Sequence, residues 1–318
     1  TPLTTTKLMA EQVLLENNIR RPFILDPAVG SGILLIRLAR ELIKKKDLNI
    51  KIISVLHNTP SFGLKFRYKH NITGKLKYYK NILKLAYSYR KVYKNSDLYI
   101  LLSESFISEF EKISRLKNLK KIRLISNPIT IANEDFIYNF ERKEKQIIFV
   151  GRLEYTQKRI ERILNVWGKI QSEYKDWELT IVGDGPDILR LKNITENKNI
   201  QSVKFVGFQN PKSFYEKASI LLLTSDYEGF PLTITESMNF GVIPIVYGSY
   251  SAAYDIISDN YSGMISKPNN GFDEEDFTNK LKMLLSSVTK RKDFSLNALN
   301  DSRRFLLNNI YEKWEKIL

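Results

Sequence analysis

Short runs of apolar, β-branched and aromatic residues alternate along this chain with longer stretches in which apolar residues recur every three to four positions. The short runs read as buried strands at 22–26, 50–56, 98–103, 122–126, 147–150, 177–182, 203–205, 220–224 and 242–246. The longer stretches read as amphipathic helices. In 159–171, Ile160, Ile163, Leu164, Val166 and Trp167 fall at helical spacing, and 297–318 reads as one closing helix with Phe305, Leu306, Ile310, Trp314 and Leu318 on one face. Strand, helix and strand in repeated order predict parallel sheets covered by helices on both faces. The alternation breaks at 127–146, which opens with Asn127-Pro128 and continues polar and charged. The expected division is an N-terminal domain at 1–130, a linker at 131–145, a second domain at 146–298 and a closing helix at 299–318 that packs back toward the first domain.

A length of 318 residues agrees with two domains of roughly 150 residues each. No cysteine is present, which rules out disulfides and thiolate metal sites, and His57 and His70 are the only histidines, too few for a multi-histidine zinc site. No apolar run approaches the roughly 20 residues that span a bilayer. The opening residues lack a secretory layout, so the expected location is cytoplasmic, at the inner face of the membrane. The charge is lopsided. Residues 1–126 hold 25 Lys and Arg against 9 Asp and Glu, a net of +16, and the rest hold 25 against 26, a net of −1. The first half therefore faces, or tolerates, something anionic.

The second domain carries the candidate chemistry. Ile147-Ile148-Phe149-Val150-Gly151-Arg152, followed by Gln157-Lys158-Arg159, is a strand ending in a tight glycine turn, with cations at the rim that suit a diphosphate. Val182-Gly183-Asp184-Gly185-Pro186 is a second strand-to-helix turn, with Pro186 suited to the first helical position. Asp226-Tyr227-Glu228-Gly229-Phe230-Pro231-Leu232-Thr233-Ile234-Thr235-Glu236 follows a buried strand and enters a helix. Gly229 allows an unusual backbone there, and free amides at the helix start, with the helix dipole, favour phosphate. Glu228 and Glu236 flank that site and can accept hydrogen bonds from sugar hydroxyls.

Together these residues resemble family 4 of the retaining glycosyltransferases, whose signature is Glu, seven residues, then Glu; Glu228 and Glu236 match it with Gly229-Phe230-Pro231 between them. The resemblance extends to Gly151-Arg152 with Lys158, to Gly183-Asp184-Gly185-Pro186, to Gly241-Val242-Ile243-Pro244-Ile245-Val246 and to the closing Arg304-Phe305 and Trp314. Lys158 stands one place later than the commonest spacing. The resemblance implies the α/β fold GT-B, two Rossmann-like domains with parallel sheets facing across a cleft. By it, Arg152 and Lys158 grip the donor diphosphate, Glu228 contacts the transferred sugar and acts in catalysis, and Glu236 holds the ribose. Gly151, Gly183, Asp184, Gly185, Gly229, Phe230, Pro231 and Leu232 complete the donor site. The donor is a nucleotide diphosphate sugar, with uridine diphosphate as the expected nucleotide. The acceptor is a glycan or lipid-linked glycan of the cell surface, and no metal or other cofactor is required.

Residues 50–129 also resemble this family. Val55-Leu56-His57-Asn58 delivers a histidine at a strand end, and the resemblance places His57 near the reacting sugar; a histidine there is otherwise a structural hydrogen-bonder. The stretch 62–93 mixes Lys and Arg with Phe62, Phe66, Tyr68, Tyr78, Tyr79, Tyr87, Tyr89 and Tyr93, which suits peripheral contact with an anionic membrane more than nucleic acid. It also fits a solvated helix with tyrosines packed on the sheet. Residues 1–46 depart from the pattern. Phe23-Ile24-Leu25-Asp26-Pro27-Ala28-Val29-Gly30-Ser31-Gly32 resembles the S-adenosylmethionine motif of adenine-specific DNA methyltransferases, but the catalytic Asn-Pro-Pro-aromatic motif is missing. Either the chain is a composite, which is the favoured explanation, or 30–32 is a divergent glycine-rich loop. On both, the N-terminal domain is short or atypical. The rivals to a working transferase are a truncated nucleotide-sugar binder and a methyltransferase fragment.

Overall fold

The structure, a computed structural model, describes residues 23–25, 51–62, 64, 72–131, 133 and 135–318. Apart from the strand at Phe23–Leu25, the methyltransferase-like segment 1–46 lies outside them. The chain divides into two compact units, Thr1–Asn127 with Asn308–Leu318, and Pro128–Leu307.

The first unit holds four parallel strands in the order β1-β2-β3-β4: β1 Phe23–Leu25, β2 Ile52–Leu56, β3 Leu98–Leu101 and β4 Ile122–Leu124. All five residues of β2 are buried, as expected of an inner strand of a parallel sheet. Among the described residues between its strands lie α1 Ile72–Asn95 and α2 Phe106–Ser114. Tyr89 and Tyr93 of α1 put their rings 5.2 and 6.2 Å from that of Phe110, which lies 5.0 Å from Tyr99 of β3. The end of α1 is closed by a cation. The Lys121 ammonium donates to the carbonyls of Tyr93, Lys94 and Ser96, satisfying oxygens that the helix leaves unpaired.

The second unit holds six parallel strands: β5 Gln146–Val150, β6 Glu178–Val182, β7 Val203–Gly207, β8 Ile220–Leu223, β9 Ile243–Tyr247 and β10 Met264–Ser266. Their order is β10-β9-β8-β5-β6-β7. Counted within the unit this is 6-5-4-1-2-3, the doubly wound Rossmann order, and its direction reverses between β5 and β8. The helices of this unit are α3 Tyr155–Lys158, α4 Ile160–Ile170, α5 Ile188–Asn197, α6 Lys212–Lys217, α7 Leu232–Met238, α8 Ala252–Ile256, α9 Glu274–Ser286 and α10 Val288–Ser302; the last helix, α11 Leu307–Glu315, belongs from Asn308 onward to the first unit. α4 buries Ile160, Ile163, Leu164, Val166, Trp167 and Ile170, each worth roughly 2 kcal/mol relative to exposure.

Two helix expectations change. Arg159 does not begin α4: it sits between α3 and α4 at φ 52°, ψ 43°, where its carbonyl accepts from the Thr224 hydroxyl at 3.0 Å. The closing stretch 297–318 is not one helix. It passes through a 3-10 turn at Arg303–Phe305 and an extended Leu306 before α11. The reason is a long-range contact: the Phe305 carbonyl accepts from the Ile129 amide at 2.8 Å, so it is turned away from helical pairing. The segment 131–145 lies on the second unit. The Phe136 ring is 4.9 Å from Phe240, the Tyr138 hydroxyl meets Ser295 Oγ at 2.9 Å, and Asn133 donates to the Asn239 carbonyl at 3.0 Å.

Candidate functional site

In an open parallel sheet, the loops leaving the C-terminal ends of the strands diverge at the point where strand order reverses, and the crevice between them receives the ligand. Here that point lies between β5 and β8. The turn after β5 leads to Gln157 and Lys158 on α3, and the loop after β8 carries Glu228. The structure joins them. Lys158 Nζ lies 2.6 Å from Glu228 Oε1, and Gln157 Nε2 donates to Glu228 Oε2 and to the Tyr227 carbonyl, both at 3.1 Å. The side chains of Lys158 and Glu228 are only 15% and 8% exposed, so each charge depends on the other. Removing one partner of such a pair costs roughly 3–5 kcal/mol, because the remaining charge stays buried. Burial and the Glu228 carboxylate push the neighbouring Tyr250 phenol well up.

A second cation fixes the Glu228 loop. Arg162 NH1 donates to Asp226 Oδ1 at 2.6 Å and to the Thr224 carbonyl at 2.9 Å, while its guanidinium lies about 5 Å from the rings of Tyr247 and Phe272. The Asp226 amide in turn donates to the Gln157 carbonyl at 2.8 Å. The loop after β8 is therefore tied at 224, 226, 227 and 228.

Glu236, on α7, is buried in a different setting. It accepts from the Thr130 hydroxyl and lies beside the Tyr215 phenol, with no cation partnering it among the described residues. Burial raises its carboxyl, opposed by the hydroxyls of Thr130 and Tyr215. Phe230 is buried with its ring edge-on to Phe305 at 5.5 Å, Pro231 precedes the first residue of α7, and Leu232 begins that helix. No side chain caps α7 at its N-terminus.

The glycines divide. Gly151 and Gly183 have φ of +153° and +143°, and a Cβ on Gly183 would stand 1.9 Å from the Gly151 carbonyl oxygen. A Cβ on Gly185 would stand 2.4 Å from the Leu153 oxygen. Asp184 accepts from the Gly185 amide through its side chain and from the Leu153 amide through its carbonyl. Gly183, Asp184 and Gly185 thus shape the turn after β5 by packing against it. Gly229 corrects an expectation. Among the described glycines positive φ falls at Gly151, Gly183, Gly207, Gly241 and Gly271, not at Gly229, because the loop is turned instead by its ties at 224–228 and by Pro231.

Arg152 is not part of the buried cluster. Its side chain is 71% exposed, with Glu154 at 3.9 Å. His57 follows the end of β2 in the first unit. Sequence reasoning assigned no role to Gln157, Thr130, Tyr215, Tyr250, Arg162 or Asp226. Thr130 is 106 residues from Glu236, and no local pattern announces it. Among the described residues no group of three or more His, Cys, Asp or Glu is gathered as for a metal ion.

A doubly wound parallel unit receives its ligand at the switch point, and here that point carries the buried Lys158–Glu228 pair. The family model for glycosyl transferases group 1 matches residues 130–301, and the chain belongs to that family. It is 31% identical, over 67% of its length, to a Campylobacter jejuni alpha-1,4-N-acetyl-D-galactosaminyltransferase named for a diNAcBac-PP-undecaprenol substrate, and spans 59% of that relative. Among solved structures it is similar to TarM of S. aureus in complex with UDP, with a TM-score of 0.68, 21% identity and coverage of 96% of this chain and 57% of that one. It is also similar to Anabaena HepE with UDP and glucose, with a TM-score of 0.70, 14% identity and coverage of 98% and 81%. The fold is GT-B, built from Rossmann-like α/β units.

Proposed function

We propose that the chain transfers a sugar from a nucleotide diphosphate sugar, with uridine diphosphate as the nucleotide, to a hydroxyl of a glycan or lipid-linked glycan in cell-surface polysaccharide synthesis, with retention at the anomeric carbon. The observation that carries this is the buried Lys158–Glu228–Gln157 cluster at the β5/β8 switch point. The UDP held by TarM and HepE supports the donor, and the undecaprenol-linked glycan in the name of the Campylobacter relative supports the acceptor class.

In the reaction the bond from the anomeric carbon to the diphosphate oxygen breaks, the acceptor oxygen bonds to that carbon on the same face, and the acceptor proton passes to the departing diphosphate. Negative charge grows on the diphosphate. Lys158, Arg152 and the first amides of α7, at Leu232 and Thr233, are the groups assigned to stabilise it. Glu228 accepts from hydroxyls of the transferred sugar, its position fixed by Gln157 and Lys158. Glu236 accepts from the ribose, and His57 is assigned to the reacting sugar from the first unit.

Calorimetric titration with uridine diphosphate, with S-adenosylmethionine as the parallel ligand, tests the donor. Micromolar binding of the uridine nucleotide alone is expected; binding of S-adenosylmethionine alone overturns the proposal. In a preparation that turns over donor, Glu228→Ala lowers the rate by on the order of 100-fold. Unchanged turnover would remove Glu228 from catalysis.

A further inference from the structure

Four buried hydroxyl oxygens in the segments that border Glu228 have no hydrogen-bond partner among the described residues: those of Ser225, Thr233, Tyr250 and Ser251. They come from the loop after β8, the start of α7 and the loop after β9. A buried hydroxyl left unpaired costs stability, so one that a fold keeps calls for a reason outside the packing. Tyr250 is the largest of the four, and its side chain is buried, at 4% exposed.

The backbone that carries Tyr250 is held from both sides. Ser249 Oγ donates to the Ser225 carbonyl at 2.6 Å, which ties the loop after β9 to the loop after β8. The Gly248 amide donates to the Ser266 carbonyl of β10 at 2.8 Å, and the Ala253 amide to the Tyr250 carbonyl at 3.3 Å. Tyr254, four positions on, donates its hydroxyl to the Gly248 carbonyl at 3.3 Å. Of these two tyrosines, one hydroxyl holds the loop and the other bonds to no described residue.

The Tyr250 phenol lies near enough to Glu228 for the carboxylate to add to the effect of burial and keep it protonated, which makes it a donor at neutral pH. It does not bond to Glu228 itself. Glu228 Oε1 accepts from Lys158 and Oε2 from Gln157, and each carboxylate oxygen has a second acceptor site that no described residue fills. An unused donor beside an unused acceptor matches one chemical group, a hydroxyl, which gives its proton to the carboxylate and accepts one from the phenol.

We propose that Tyr250 is a specificity-determining residue, whose hydroxyl donates to the same hydroxyl of the transferred sugar whose proton Glu228 accepts. This rests on the sugar-transfer proposal, in which Glu228 faces that sugar. Read from both sides, one hydroxyl is fixed in position and orientation, so sugars that differ there are told apart.

The test is calorimetric titration of the full chain with uridine diphosphate and with its glucose, galactose, N-acetylglucosamine and N-acetylgalactosamine conjugates, on the parent, Tyr250→Phe and Tyr254→Phe. The parent binds uridine diphosphate and prefers one conjugate. Tyr250→Phe keeps the ring and removes a hydroxyl that bonds to no described residue, so it melts no lower than the parent and binds uridine diphosphate equally. Its affinity for the preferred conjugate falls roughly 10-fold and the preference narrows. Tyr254→Phe melts lower and keeps the preference. Unchanged affinity and preference in Tyr250→Phe overturn the inference and leave the sugar-transfer proposal standing. So does an equal loss for uridine diphosphate and for the conjugate, since the hydroxyl then shapes the site as a whole, and so does a parent that binds all four conjugates alike. A parent that binds none of the five compounds removes the sugar-transfer proposal, and this inference with it.

Discussion

Glu228 and Glu236 stand eight positions apart in one motif, yet the fold gives them opposite electrostatic settings. Glu228 is paired with Lys158, whereas Glu236 is surrounded by hydroxyls, and burial raises its carboxyl above the ordinary 4.5. The sign of the consequence follows from linkage. Between the ordinary value and the raised one, the native state binds more protons than the unfolded chain, so stability falls as pH rises through that window and then levels off. At neutral pH the fold carries the cost of an ionised carboxylate that no cation pairs among the described residues. Glu236→Gln removes it, and the variant should gain melting temperature over the parent at pH 7.5 while the gain shrinks toward pH 4.5. A difference between the two proteins that does not change with pH would mean that Glu236 titrates as it does in the unfolded chain. At this scale the sequence announced the residues that sit inside recognisable strings, Glu228, Glu236 and Lys158. It did not announce Thr130, Gln157 or Tyr250, whose roles come from distance in space and not from spacing along the chain.

The turns after β5 and β6 form one packed element, because Gly151 donates its amide to the Val182 carbonyl and Leu153 donates to that of Asp184. Gly183 therefore differs from Gly207, the glycine that ends β7. Both have positive φ, but a Cβ on Gly183 meets the Gly151 oxygen at 1.9 Å while a Cβ on Gly207 meets nothing within 4 Å. Gly207→Ala should cost only the left-handed backbone, about 1–2 kcal/mol. Gly183→Ala adds a backbone clash that must move the turn carrying the site, so its cost should exceed that of Gly207→Ala by on the order of 2 kcal/mol in denaturant unfolding. Equal costs would show that the two turns can separate freely. Nine strands were legible because each is an apolar run flanked by polar residues or glycine. β10 was not, since Met264–Ser266 is three residues long and too short to show a period. The breaks at Arg159 and Leu306 were hidden for a different reason: each depends on a hydrogen bond to a remote residue, the Thr224 hydroxyl or the Ile129 amide.

The charge of the whole molecule is divided in the same way as its chain. The second unit runs unbroken from Pro128 to Leu307 and contains its whole six-stranded sheet, with Ile147, Ile148, Leu221 and Leu222 fully buried in the middle strands. It holds 23 Lys and Arg against 24 Asp and Glu, a net of −1, whereas the full chain carries +15. The alternating pattern predicted the parallel α/β architecture, and the polar stretch 127–146 stood out from it as a break. That this stretch packs on the second unit was not legible, because Phe136 and Tyr138 meet partners more than 100 positions away. A fragment of residues 128–307 carries these contacts with it, and so should fold alone, with native-like circular dichroism and one cooperative thermal transition. At neutral pH and low salt it should pass through a cation exchanger that retains the full chain, because the cationic excess lies elsewhere. A fragment that melts without cooperativity would show that residues outside 128–307 complete its core. Retention of a well-folded fragment on the exchanger would show that a local cationic face on the second unit outweighs its balanced total.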